Sequence, residues 1–143
     1  MTILVSACLL DIPCRYDAKG TPSEAVLKLM EKHTLIPVCP EQLGGLPAPR
    51  ECCERCGNRV LTKSGADITE PFFKGAQETL RLAALYGCKL AVLKERSPSC
   101  GSSIIYDGTF TGKRIAGKGV TAELLEQNGV RVISENRLDE LEL

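Results

Sequence analysis

Leu90-Ala-Val-Leu-Lys94, entered through Gly87-Cys88-Lys89 and followed by Ser97-Pro-Ser-Cys-Gly101, is the most uniformly apolar strand-like run in the chain. Apolar residues on both sides of a strand mean that both faces are covered, as happens at the centre of a parallel sheet with helices above and below. On either side of this run, short apolar stretches alternate with helical patterns, which is the signature of βαβ units. Upstream, Ile3 to Ser6 reads as a first strand. A helix over about Pro22 to Lys32 comes next, with Thr21 as N-cap and Glu24 completing a Thr-x-x-Glu capping box. Leu35 to Cys39 is a second strand, and Pro37, which cannot donate to a ladder, places it at an edge. Residues 40 to 58, rich in Gly, Pro and Cys, read as an irregular loop, and Arg59 to Thr69 as a small excursion turning at Ser64-Gly65. A second helix spans about Glu70 to Tyr86, with Ala76, Leu80, Ala83 and Ala84 on one face and Gly87 as its stop.

Downstream, Ile104 to Thr111 suggests a hairpin around Asp107-Gly108. Thr121 caps a helix ending at Gly129, Arg131 to Ser134 is a fourth strand, and Asn136 to Leu143 forms an amphipathic turn or two. The expectation is one doubly wound α/β domain over residues 1–143. It holds a mostly parallel four-stranded sheet flanked by helices, with a small hairpin excursion.

Composition narrows the function classes. The chain has 143 residues, and its 18 Lys and Arg balance 18 Asp and Glu. Zero net charge gives no electrostatic reason to expect a nucleic-acid backbone or an anionic membrane as partner. With 43% hydrophobic residues the chain can fill a core, and its longest apolar runs are too short to span a bilayer. Met1-Thr-Ile-Leu-Val-Ser6 lacks the basic region of a signal peptide. The expectation is a soluble, cytoplasmic protein.

Eight cysteines (8, 14, 39, 52, 53, 56, 88 and 100) are the outlying feature. In a reducing compartment such a set points to metal binding or catalysis rather than cross-linking. Cys88, at the entry to an apolar strand, reads as a small buried hydrophobe. In open parallel sheets, ligands bind beyond the carboxyl ends of the strands. Three cysteines fall there: Cys8 just past the first strand, Cys39 closing the second, and Cys100 after the third. Far apart in sequence, they meet at one rim, which favours a metal or cluster site over unrelated buried thiols. Ser97-Pro98-Ser99-Cys100-Gly101 surrounds one of these thiols with hydroxyls and a flexible turn. In Cys39-Pro40-Glu41 a stiff proline holds a carboxylate near another, where it can carry protons between substrate and water.

The stretches Ser6-Ala-Cys-Leu-Leu10, Cys14-Arg-Tyr-Asp17, Val38-Cys-Pro-Glu41, Gly44-Gly-Leu-Pro-Ala-Pro-Arg50, Leu93-Lys94, Ser97-Pro-Ser-Cys-Gly101 and Tyr106-Asp-Gly108 resemble, in order along nearly the whole chain, the family that includes the thiouracil desulfidases. The resemblance implies a [4Fe-4S] cluster on only three protein cysteines and removal of sulfur from thiolated uracil-type bases, a small-molecule thiolated pyrimidine substrate. Carried onto this chain, it implies Cys8, Cys39 and Cys100 as cluster ligands, with Glu41 and Ser97 as acting residues. Cys14, in a motif block of its own, stands as an alternative to one of the three. A cluster with three protein thiolates keeps one iron open as a Lewis acid, and soft thiocarbonyl sulfur suits it better than hard carbonyl oxygen. The implied reaction is hydrolytic: thiobase and water give oxo-base and hydrogen sulfide. Two places depart from the family pattern. Asp11 stands where a glycine is expected, and Glu51-Cys-Cys-Glu-Arg-Cys56 replaces prolines and small residues.

Three other readings compete. Cys53-x-x-Cys56, with Cys39 or Cys52 added, has the spacing of a zinc module, but a second paired motif is missing and the sole histidine, His33, lies at a helix end. The same cysteine pair offers a thiol redox site, although it neither follows a strand nor opens a helix. Gly112-x4-Gly117-Lys118 has most of a P-loop, but Gly119 stands where a magnesium-binding hydroxyl is needed.

Overall fold

The computed structural model describes residues 1–141. Its centre is a parallel sheet of four strands, β1 (Thr2–Ser6), β2 (Thr34–Val38), β5 (Leu90–Leu93) and β8 (Arg131–Ser134), in the order β2-β1-β5-β8. All four strands expected from apolar runs are present, with β2 at an edge where Pro37 costs no ladder bond. Side chains alternate across the sheet and build a core on each face. Ile3, Val5, Leu90, Val92 and Ile133 face one way and pack with Val26. Leu4, Ala91 and Leu93 face the other and pack with Ala83, Ala122 and Leu125. Val26 lies on the short helix α1 (Glu24–Lys28), whereas the second layer comes from α3 (Thr69–Leu85) and α4 (Val120–Gln127). The winding therefore reverses between β1 and β5, and in such folds that point opens a crevice at the carboxyl ends.

Two antiparallel hairpins lie outside the sheet. β3 (Cys53–Cys56) pairs with β4 (Arg59–Thr62), and β6 (Ile104–Tyr106) pairs with β7 (Arg114–Ala116). The first packs through Cys53 and Val60 on Phe72 and Ala76 of α3, forming a third apolar cluster. Residues 40 to 58 are thus more ordered than their composition predicts. They contain β3 and a short helix, α2 (Pro40–Leu43), started by Pro40 in its first turn. The second hairpin is longer than Ile104 to Thr111, because its tip runs from Asp107 to Lys113 before β7 begins.

Local caps also differ from the sequence reading. The first helix is only α1 plus a 3₁₀ turn over Leu29–Glu31, capped by the Ser23 hydroxyl rather than by Thr21. The Thr21 N–H instead donates to the Cys8 carbonyl at 2.8 Å. Thr121 does not cap α4 either. Its hydroxyl bonds that of Ser99 at 2.8 Å, and the orphan N–H groups of Val120, Thr121 and Ala122 donate to the carbonyls of Pro98 and Ser99. The P-loop reading fails here as well, because Arg114–Ala116, inside the Gly112–Lys118 motif, is a strand of an antiparallel hairpin rather than a loop following a parallel strand. A 3₁₀ turn over Glu135–Glu140 accounts for most of the expected amphipathic tail, and Glu142 and Leu143 lie outside the described residues. No helix among the described residues is long and apolar enough to cross a membrane.

α2 is held by an unusually close backbone approach to α3. A Cβ on Gly75 would fall 1.9 Å from the Pro40 carbonyl oxygen, and one on Gly44 would fall 2.0 Å from that of Pro71. Alanine at position 75 gains up to about 1 kcal/mol in helix propensity but forces the helices apart. We expect Gly75→Ala to lose about 1–3 kcal/mol net, the usual cost of overpacking. Thermal unfolding should show a melting temperature lower by several degrees, and an unchanged one would mean that α2 floats free of α3.

Candidate active site

The crevice at the β1/β5 reversal is a cavity of about 430 Å³. Its floor is made by the segments that the strands run into. β1 leads to a 3₁₀ turn over Ala7–Leu10 that carries Cys8, and Asp11 closes this turn at φ 64°. That left-handed conformation explains why a glycine is expected at this position, and Asp is among the residues that tolerate it. β2 ends at Val38, leaving Cys39 as the N-cap residue of α2. After β5 the chain bends into Ser97–Gly101, which carries Cys100. Cys8, Cys39, Cys100, Glu41 and Ser97 all line this one cavity, and so does Cys14.

The thiols are crowded and desolvated. Cys8, Cys14 and Cys100 are buried and Cys39 is half-buried. The Cys39 thiol faces the Cys14 carbonyl at 3.6 Å. The neighbouring Cys14 thiol, together with burial, drives the Cys39 pKa up. For Cys14 the contact from Cys39 acts downward, but contact with Cys8 and burial raise it to about 11. Burial pushes Cys100 up to about 12. Such thiols stay neutral until a cation of comparable softness makes the thiolate favourable, which is the donor chemistry of an iron–sulfur cluster. The residues present therefore fit one.

Glu41, in the first turn of α2, forms an ion pair with Arg50. The Arg50 side chain is only 6% exposed. Its Nη1 also donates to the carbonyls of Cys14, at 3.1 Å, and Pro47, at 2.9 Å, while its Nε is buried without a partner. One guanidinium thus joins the acid to the loop bearing Cys14. Ser97 has a comparable local task, since its Oγ accepts from the N–H groups of Ser99 (3.1 Å) and Cys100 (3.0 Å). With both acceptor positions used, the hydroxyl proton is left to be donated.

Sequence reasoning assigns no role to Arg50 or to Glu95. Arg50 is visible there only as the end of Pro47-Ala-Pro-Arg50. Glu95, 7% exposed, accepts from the N–H groups of Ser102 (2.9 Å), Ser103 and Ile104 (both 3.1 Å) and from the hydroxyls of Ser102 and Ser103. It gathers the strand leaving Cys100 into a tight turn. The Glu51–Cys56 segment sends Cys52, Cys53 and Glu54 to the cavity wall. Cys53 and Cys56, three apart on a strand, face opposite ways. Cys53 joins the core beside Phe72, and Cys56 faces the Gly108 carbonyl at 3.5 Å. Their CxxC spacing therefore makes neither a zinc knuckle nor a redox pair. Among the described residues, no three His, Cys, Asp or Glu are gathered closely enough to hold a single metal ion. His33 stands apart, with its ring against the N-terminal amine.

Residues 3–137 match the 2-thiouracil desulfurase family. The chain is 46% identical, over 149 aligned positions, to the uncharacterized protein YbbK of Bacillus subtilis (strain 168), covering 97% of this chain and 99% of that protein. The solved structure of the [4Fe-4S]-dependent thiouracil desulfidase TudS superposes with a TM-score of 0.93 at 46% identity, over 98% of this chain and 94% of that one.

Burial acts to raise the Glu95 pKa, but its donors outweigh burial and hold it below the ordinary 4.5. A carboxylate lowered in the folded state stabilises above its unfolded pKa and loses that contribution as pH falls through the folded value. We expect Glu95→Gln to cost about 1–3 kcal/mol at pH 7, with the gap to wild type narrowing below about pH 4.5. Denaturant unfolding at several pH values checks this. A gap that stays constant into acid would show that the charge contributes nothing.

Proposed function

Because the chain belongs to the 2-thiouracil desulfurase family, we propose that it is a [4Fe-4S]-dependent desulfidase that converts thiolated uracil-type bases to their oxo forms, releasing hydrogen sulfide. The observation carrying this reading is the meeting of Cys8, Cys39 and Cys100 at one cavity with Glu41 and Ser97. Those three cysteines hold the cluster in this reading. When bound, such a cluster supplies a soft Lewis acid for a thiocarbonyl sulfur.

The chain's own groups supply the rest. Arg50, fixed by the carbonyls of Cys14 and Pro47, holds the Glu41 carboxylate in place to accept a proton from the attacking water. Water oxygen bonds to the ring carbon, the carbon–sulfur bond breaks, and sulfur leaves at the oxidation level of sulfide. No electrons are gained or lost overall. The Ser97 proton, free because its oxygen already accepts twice, is donated to the charge that develops on the base.

Anaerobic reconstitution tests the assignment. Cys8→Ser, Cys39→Ser and Cys100→Ser are each expected to lose both the visible cluster absorbance and turnover of 2- and 4-thiouracil. Cys14→Ser and the Cys53→Ser/Cys56→Ser double variant should keep both. Loss in Cys14→Ser with retention in one of the three would transfer that ligand's place to Cys14. Turnover that survives without the chromophore would remove the cluster from the reaction. Glu41→Gln should keep the absorbance while kcat falls by about 10²-fold or more, the usual share of a general base.

A further inference from the structure

The β6–β7 hairpin lines the cavity with Tyr106, at the end of β6, and Phe110, in its tip. Neither ring belongs to the three buried apolar clusters of the described residues, and both are half-buried. Phe110 is held at φ 59°, a left-handed conformation that a bulky L residue adopts rarely and at a cost.

A buried carboxylate from another part of the chain maintains it. Glu54, 6% exposed, reaches from β3 and accepts the N–H groups of Gly108 at 2.9 Å and Phe110 at 3.2 Å through one oxygen. Gly108, at φ 93°, sits so close to β3 that a Cβ would lie 2.4 Å from the Cys56 sulfur. Other side chains of the tip bond one another. Asp107 accepts from the Thr109 N–H and hydroxyl, and the hydroxyls of Thr109 and Thr111 bond each other at 2.7 Å. The tip is therefore latched to β3, and its strained residue presents an aromatic side chain to the cavity instead of filling the core.

We propose that Phe110 is the stacking surface for the substrate, receiving the flat pyrimidine ring on its face, and that Glu54 is the positioning residue that holds it there. The proposal rests on the desulfidase reading for the identity of the ring. Stacking of a base on an aromatic side chain is insensitive to the groups around the ring edge. It therefore leaves recognition of the thiocarbonyl to other groups of the cavity and contributes equally to substrate and product.

The test uses the reconstituted full-length enzyme with 4-thiouracil in turnover and uracil in calorimetric titration. Phe110→Ala and Phe110→Leu should each raise KM for 4-thiouracil and Kd for uracil about tenfold, within the range of base–aromatic stacking. kcat should stay within about twofold, as expected for binding shared by ground and transition states. Phe110→Tyr should restore wild-type values. Glu54→Gln should raise KM in the wild-type background and add nothing to Phe110→Ala, because it acts through that ring. Wild-type KM and Kd in Phe110→Leu, which keeps apolar bulk without an aromatic face, would overturn the proposal even if the alanine variant misfolds. An additive effect of Glu54→Gln would overturn the positioning role. Wild-type protein that binds uracil in a Phe110-dependent way but leaves 4-thiouracil unchanged would refute the desulfidase reading while the stacking site stands.

Discussion

Parallel register is the constraint on which the site depends. Ser6 of β1 lies beside Val38 of β2, and Val5 lies beside Val92 of β5, so three strands reach their carboxyl ends at nearly one level. The residues just beyond those ends are delivered to the same place. Cys8, Cys39 and the loop to Cys100 are those residues, although nearly a hundred positions separate the first from the last. A one-residue slip of β2 would turn its apolar side chains out of the core and carry Cys39 away with them.

A second layer of order comes from charges buried at the rim. Arg50, Glu41, Glu54 and Glu95 are all largely withdrawn from water. Each is paired or surrounded by donors, as burial of charge demands. Lys94 and Glu135 add another pair at 3.0 Å where β5 and β8 end, and Glu135 also accepts the Glu95 N–H at 2.8 Å. These groups stabilise little by themselves, because pairing roughly offsets their desolvation. Their effect is directional. Glu41 is tied to the Cys14 loop, Glu95 gathers the turn after Cys100, and Glu54 latches the aromatic tip. Irregular loops thereby acquire the rigidity that a small-molecule site needs.

The Glu51–Cys56 departure from the family pattern obeys the same logic. Its cysteines suggest a metal knuckle when read as a spacing. Once residues 53 to 56 form a strand, alternation sends Cys53 to the core and Cys56 to the neighbouring hairpin tip. The residue of consequence there is Glu54, whose buried carboxylate spans to Gly108 and Phe110, a contact across more than fifty positions.

Much is legible from the chain without its fold. The apolar strands, the α/β class and the edge position marked by Pro37 come from local pattern, and the ordered motif blocks point to the family. The three cysteines stand out because a parallel sheet places residues after its strands at one rim, and the family resemblance adds Glu41 and Ser97. Caps are less legible: the Thr21 N–H and the Thr121 hydroxyl meet partners distant in sequence, in Cys8 and Ser99, which local propensity does not see. For the same reason α2 and β3 are hidden within a Gly- and Pro-rich stretch, since close packing on α3 through Gly44 and Gly75, not composition, orders them. Sequence by itself determined the four strands of the parallel sheet and which residue types reach their ends. Only tertiary structure decided that Arg50, Glu95 and Glu54 hold those ends in place, because a buried charge takes its meaning from partners that the chain brings to it through space.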